Sequence, residues 1–111
     1  MQFLKDNKKI LKNFITDVKK KEVVKISIVD DDKINVFFKN GDKEIIDIYN
    51  FLIKDSFKWF YEQGYYITMN YAPKIVLLYP KEVTTSDFKE FSKGSDLVEA
   101  TINLYKWVKN V

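Results

Sequence analysis

The segment from Asp42 to Gly64 constrains the fold most, because its apolar residues recur with the period of a helix. At about 100° per residue, one broad side of such a helix is apolar and the other is charged. The apolar side includes Ile45, Ile46, Ile48, Tyr49, Leu52, Ile53, Ser56, Phe57, Trp59 and Phe60. Acidic residues at its start and glycine at its end suit helix termini. The pattern therefore predicts a central helix over residues 42–64.

The start of this segment has an alternative interpretation. Asn40-Gly41 is a strong hairpin signal that would make Lys43 to Tyr49 a third strand. Such a strand would pair Phe38 with Lys43 and so mix polar and apolar residues on one face. The helix is the preferred interpretation, and the strand stays open beside it.

The rest of the chain alternates between helical and strand patterns. The predicted elements are a helix over Gln2–Lys20, strands over Glu22–Asp30, Lys33–Lys39, Tyr65–Tyr71 and Ile75–Tyr79, an ordered loop over Lys81–Gly94 with one helical turn at Ser86–Phe91, and a last helix capped at Ser95 or Asp96. The unbroken apolar run Ile75–Tyr79 is typical of an inner strand covered on both faces. We therefore predict an α+β fold in the order α-ββ-α-ββ-α. Its four-stranded antiparallel sheet would carry two helices on one face and the N-terminal helix on the other.

Length and composition limit the class of protein. A chain of 111 residues with 46% hydrophobic content suits one core, so a single domain over residues 1–111 is predicted. No apolar run approaches the ~20 residues that span a bilayer, and the charged N-terminal segment lacks the apolar stretch of a signal peptide. We expect a soluble, cytoplasmic protein that does not bind membranes.

All nineteen basic residues are lysine, and the chain has no arginine, histidine or cysteine. The side chains most used for guanine readout, proton transfer near neutral pH and soft-metal ligation are therefore missing. Asp30-Asp31-Asp32 offers carboxylates but lacks the spacing of a calcium loop, and a solvated turn is favoured there. We expect no enzymatic activity, cofactor, metal or small-molecule substrate. The bias towards lysine, asparagine and isoleucine is typical of low-GC bacteria and their mobile elements.

The C-terminal half shows a pattern-level resemblance to a known class. The tyrosine-rich hairpin YYITMNYAPKIVLLYP followed by SDLVEATINLYKWV resembles the hairpin and final L-x-E-A helix of small phage-encoded α/β sandwich proteins. The long loop before Gly94 departs from the tight link expected there, and no functional residue carries over. The resemblance implies a phage or mobile-element setting, in which small proteins act by binding and blocking host factors.

Aromatic residues motivate the leading hypothesis, a non-catalytic protein that acts stoichiometrically on a protein partner. Such a protein would be an inhibitor or adaptor of a host factor, for example in host defence or anti-defence. Phe51 and Tyr61 fall on the polar side of the central helix, close in sequence to other rings. Exposed rings anchor interfaces because they bury much area at low entropic cost. The predicted protein-binding residues are Phe51, Trp59, Tyr61, Tyr65 and Tyr66.

A lysine stripe on the first helix motivates the alternative, a nucleic-acid-binding module. Residues 1–25 contain eight lysines and three acids, which gives this segment a net charge of +5. Positive charge on one face is what phosphate neutralisation requires, and Phe37, Tyr66 and Tyr71 offer rings for base stacking on an open sheet face. The stripe consists of Lys5, Lys8, Lys9, Lys12 and Lys19.

Overall fold

The computed structural model describes residues 2–30, 32–70, 75–80, 89–93 and 97–110 as a mixed α+β protein. The helices are α1 (Gln2–Asp6), α2 (Lys8–Lys19), α3 (Ile48–Asn50), a π-helical segment (Phe51–Asp55), α4 (Ser56–Glu62) and α5 (Leu97–Lys109). The strands are β1 (Val23–Ile28), β2 (Lys33–Phe38), β3 (Lys43–Asp47), β4 (Tyr65–Asn70), β5 (Ile75–Pro80) and β6 (Lys89–Lys93). The predicted α+β class is confirmed.

The prediction of a single four-stranded sheet is wrong, because the strands form two antiparallel sheets in the orders β1-β2-β3 and β4-β5-β6. Both predicted hairpins form, but each gains a third strand that follows it in sequence instead of pairing with the other hairpin. β6 occupies part of the predicted loop and replaces the predicted helical turn over residues 89–91. The predicted turn at Ala72-Pro73, residues 81–88 and the helix cap at residues 94–96 lie outside the described residues.

The helices connect the two sheets. α2 packs against β1, α4 and α5, while α4 contacts β4 and α5 contacts β5 and β6. The predicted first helix is divided at Asn7, whose side-chain amide donates a hydrogen bond to the Phe3 carbonyl. It ends at Lys20, which adopts a left-handed conformation with φ of 58°.

The predicted helix start at residues 42–47 is wrong, because these residues continue the first sheet. Gly41 has φ of +95°, which favours glycine, and its N–H donates to the Phe38 carbonyl across the turn. β3 then pairs with β2 so that Ile46 faces Ile34 and Lys43 faces Phe37. The helix begins only after Asp47, whose carboxylate accepts hydrogen bonds from the N–H groups of Tyr49 and Asn50. Asp47 therefore serves as the helix N-cap.

The helical run over residues 48–62 contains a π-helical turn at its middle. The N–H of Ser56 donates to the Phe51 carbonyl, five residues back instead of four. Such a turn takes up one extra residue, so residues before it are rotated by about 100° relative to an uninterrupted α-helix. This rotation turns Phe51 inward, and only 1% of its surface is exposed.

A β-bulge in β1 changes which residues of that strand face the core. The pairing of β1 with β2 shifts between Val23 and Lys25. Val23 is consequently buried, whereas Val24 is 49% exposed.

Phe14 lies at the centre of the buried apolar cluster. Its ring stacks on Tyr105 with 4.3 Å between centroids, and it makes edge contacts with Phe51, Trp59 and Phe60 at 5.4, 6.0 and 5.9 Å. These side chains come from α2, the helical run over residues 48–62, and α5. One aromatic cluster therefore holds the three helical segments together.

Candidate functional site

The predicted protein-binding residues divide into buried and exposed groups. Phe51 and Trp59 are 1% and 5% exposed and belong to the core around Phe14. The prediction that these two residues belong to a binding surface is wrong, because a ring buried in the core cannot contact a partner. For Phe51 the physical reason is the π-helical turn, and for Trp59 it is the dense packing against Phe14 and Tyr105.

The remaining predicted rings form two edge-to-face pairs around β4. Tyr61 and Tyr66 lie 5.4 Å apart, and Tyr65 lies 5.8 Å from Trp107, measured between ring centroids. Successive residues of a strand point to opposite faces, so the two pairs flank β4 on its two sides. β4 is an outer strand of its sheet. We call Tyr61, Tyr65, Tyr66 and Trp107 the aromatic surface.

The aromatic surface is exposed despite its size. Tyr61, Tyr66 and Trp107 are 45%, 40% and 38% exposed, while Tyr65 is half-buried against the core. Trp107 was missed as a site residue because helical periodicity places it at the edge of the inward face of α5. Its contact with Tyr65 depends on how α5 packs against the second sheet, which is not a local sequence signal.

The predicted lysine stripe is divided by ion pairing. Lys19 contacts Glu44 at 3.1 Å and Asp55 at 3.5 Å, so its charge is neutralised locally. Among the described residues, Lys5, Lys8, Lys9 and Lys12 take part in no ion pair. The first three of these are exposed and Lys12 is half-buried. The stripe therefore keeps four of its five charges available to a partner.

A polar cluster joins α2 to α5 beside the core. The Tyr105 hydroxyl donates a 2.7 Å hydrogen bond to Asp17, and the Lys109 ammonium lies 3.3 Å from the same carboxylate oxygen. These three residues, with Asn13 and Thr16, line a cleft of about 210 Å³. The side chains of Asp17 and Lys109 are 28% and 44% exposed, so the cleft opens to solvent. Its charges are satisfied by one another, which suits a structural link between the helices.

Burial raises the pKa of Tyr105, and the hydrogen bond to Asp17 and the negative charge of that residue raise it further. The phenol therefore stays protonated well above its ordinary range near pH 10. A neutral phenol that already donates to a carboxylate is a poor nucleophile and a poor base at neutral pH.

We expect an alkaline titration followed by tyrosine absorbance to show a late component among the seven tyrosines. Because the pKa of Tyr105 is higher in the folded protein, the unfolded state loses this proton first as the pH rises. The stabilising contribution is complete below about pH 10 and declines at higher pH. Tyr105→Phe should remove the late component, and its persistence in that variant would assign it to another tyrosine.

The acidic turn between β1 and β2 forms hydrogen bonds within the chain. Asp30 Oδ1 accepts from the N–H groups of Asp32 and Lys33 at 3.1 and 3.0 Å. The hydrogen bond between the carboxyls of Asp30 and Asp32 lowers the pKa of the first and raises that of the second. Asp31 lies outside the described residues. Within the described part of the chain, no group of three or more acidic residues is arranged to hold a metal ion.

Comparison with known proteins gives no match for this chain among protein-family models, curated proteins or solved structures. Across the helices in the described ranges, none combines the length and apolar character needed to cross a bilayer. Proposals about function therefore rest on the geometry of the described side chains.

Proposed function

We propose that this chain is a non-catalytic binding protein that acts stoichiometrically on a protein partner through the aromatic surface. The observation that carries the proposal is the exposure of Tyr61, Tyr66 and Trp107 around one outer strand. Tyrosine and tryptophan present large, rigid contact areas and dominate the energetics of many interfaces. An inhibitor or adaptor of a host protein, encoded by a phage or mobile element, is the role that the C-terminal sequence pattern favours.

The arrangement of the rings supports a preformed interface. Each ring is held by an edge-to-face contact with a second ring, so its rotamer is restricted before a partner arrives. Restricting rotamers beforehand lowers the entropic cost of association. Tyr65, on the opposite face of β4 from Tyr66, is further fixed because it packs against the core.

We expect Tyr61→Ala and Tyr66→Ala each to weaken partner binding by about 30-fold, the effect of losing a hot-spot aromatic residue. Tyr49→Ala provides the matched control, because Tyr49 is similarly exposed at 37% and lies outside the aromatic surface. The protein would be immobilised, incubated with lysate of the source cell, and the retained proteins quantified by mass spectrometry. The partner is the protein that the wild type and Tyr49→Ala retain and the other two variants lose.

The dependence of partner retention on ionic strength provides an independent measurement on the same complex. An interface formed by aromatic burial should respond weakly to ionic strength, since screening acts on charges. Retention that persists in both tyrosine variants would remove the aromatic surface as the binding site. Retention lost between low and high salt would indicate a charged interface instead.

A second candidate function, nucleic-acid binding through the helix stripe, is favoured by the four lysines that lack ion pairs among the described residues. Replacing Lys5, Lys8, Lys9 and Lys12 with glutamine should reduce the salt dependence of binding, because each phosphate contact contributes to its slope. Affinity for nucleic acid that is unchanged in this variant would exclude the stripe.

A further inference from the structure

The first sheet has an outer face whose composition is unlike that of its inner face. Strand pairing places Lys25, Phe37 and Lys43 side by side in one row across β1, β2 and β3. The neighbouring row is Ser27, Asn35 and Ile45. We call these six residues the outer row pair. The inner face carries the buried residues Ile26, Ile34, Val36 and Ile46.

The outer row pair is accessible to solvent. Lys25, Lys43 and Ile45 are exposed, the last by 65%, and Ser27, Asn35 and Phe37 are half-buried. Asn35 and Phe37 lie on the central strand β2, where each side chain is flanked by neighbours on both sides.

Phe37 lies between two ammonium groups. The Lys25 Nζ lies 5.7 Å from its ring centroid, and the Lys43 Nζ lies 5.4 Å from it on the other neighbouring strand. Neither lysine takes part in an ion pair with another described residue. The bulge in β1 sets this row, because pairing continued from Val23 and Phe38 would place Val24, not Lys25, opposite Phe37.

We propose that the outer row pair binds single-stranded nucleic acid. In the free protein both ammonium groups lie over the Phe37 ring. One base stacks on this ring when Lys25 and Lys43 move to the adjoining phosphates and neutralise them. Asn35, in the next row on the same strand, provides an amide that can hydrogen-bond a base edge. A central ring with flanking cations is the combination that binds single strands with little sequence preference.

The ring and the amide favour a nucleic acid over an acidic peptide. An acidic peptide pairs its carboxylates with the two lysines but makes little use of the flat ring between them. A nucleic acid uses both features, because every base has a stacking face and a polar edge. The proposal is independent of the aromatic surface, which lies on the other sheet.

The test measures binding of fluorescein-labelled oligothymidine and oligouridine of about 12 nucleotides by anisotropy, at about 50 and about 200 mM salt. Phe37→Leu should weaken binding by about 10-fold with an unchanged salt slope, because it removes stacking and keeps the charges. Lys25→Gln with Lys43→Gln should lower the slope by about 1.4, which is the value for two phosphate contacts on a single strand. Comparing the two oligonucleotides shows whether DNA or RNA is preferred.

Two variants serve as matched controls. Lys20→Gln with Lys39→Gln removes the same charge from lysines that already pair with Glu62 and Glu22, and should leave affinity within about 2-fold. Lys8→Gln with Lys9→Gln tests the helix stripe separately. Circular dichroism and the thermal midpoint verify that each variant is folded.

Three results would overturn the proposal. The first is no salt-dependent binding of either oligonucleotide by the wild type. The second is full affinity in both Phe37→Leu and Lys25→Gln/Lys43→Gln. If Lys8→Gln/Lys9→Gln then loses affinity, the binding is assigned to the helix stripe. The third is a glutamate-rich peptide that binds as tightly as the oligonucleotides and with the same dependence on Phe37. None of these results bears on protein binding through Tyr61 and Tyr66, so the two proposals fail independently.

Discussion

Phe14→Ala is expected to lower the free energy of unfolding by about 3–5 kcal/mol, the usual cost of truncating a buried phenylalanine. Phe14 is 0% exposed and contacts four other rings, including Tyr105 at 4.3 Å. Its removal leaves a cavity bordered by three helical segments that cannot all move inward together. Because small domains are stable by only about 5–15 kcal/mol, this loss threatens the folded state itself.

Urea unfolding followed by tryptophan fluorescence and circular dichroism would measure the effect. Tyr49→Ala is the matched control, because it truncates a 37% exposed ring and should change stability by about 0.5 kcal/mol or less. Equal unfolding midpoints for the two variants would contradict the central position of Phe14.

Ile46→Ala should cost about 2–5 kcal/mol, whereas Ile45→Ala should change stability by about 0.5 kcal/mol or less. These neighbours on β3 point to opposite faces of the first sheet, and they are 5% and 65% exposed. On the helix that the sequence pattern predicted, both would lie on the buried side and both substitutions would be costly.

The same unfolding experiment compares this pair directly, since the two substitutions delete identical atoms. A large loss in both variants would favour the helix over the strand. A loss only in Ile45→Ala would indicate a strand shifted by one residue, because such a shift exchanges the faces.

Register explains why the sequence pattern favoured the wrong structure at residues 43–47. The alternative strand at these residues pairs Phe38 with Lys43, a register that mixes polar and apolar residues. The observed register pairs Phe37 with Lys43 and so differs by one residue. This shift places Ile46 opposite Ile34 on the inner face, and it depends on the tight turn at Gly41. The hairpin signal was therefore correct, and the assumed pairing concealed it.

The helix, by contrast, was predictable from Ile48 onwards, except for its π-helical turn. Regular periodicity placed Phe51 on the polar side, and no local signal marks the extra residue that turns it inward. Helical spacing places Tyr61 on the polar side of the helix, and 45% of its surface is exposed. The pairing of Tyr65 with Trp107 is a tertiary contact that periodicity cannot provide.

The division into two sheets was also beyond the sequence pattern. Local alternation predicts a strand but does not identify its neighbours, because pairing is decided by packing. β6, with the sequence KEFSK, has too few apolar residues to be recognised as a strand. Its pairing with β5 became visible only in the structure.

The arrangement of each sheet as a run of consecutive strands has a kinetic consequence. Every ladder joins strands that are adjacent along the chain, so each sheet can assemble after closing only short loops. The demanding step is the meeting of α2 with α5, where Asp17 and Tyr105 are separated by 88 positions. Local contacts form rapidly, and here that advantage applies to the two sheets but not to the docking of α2 on α5.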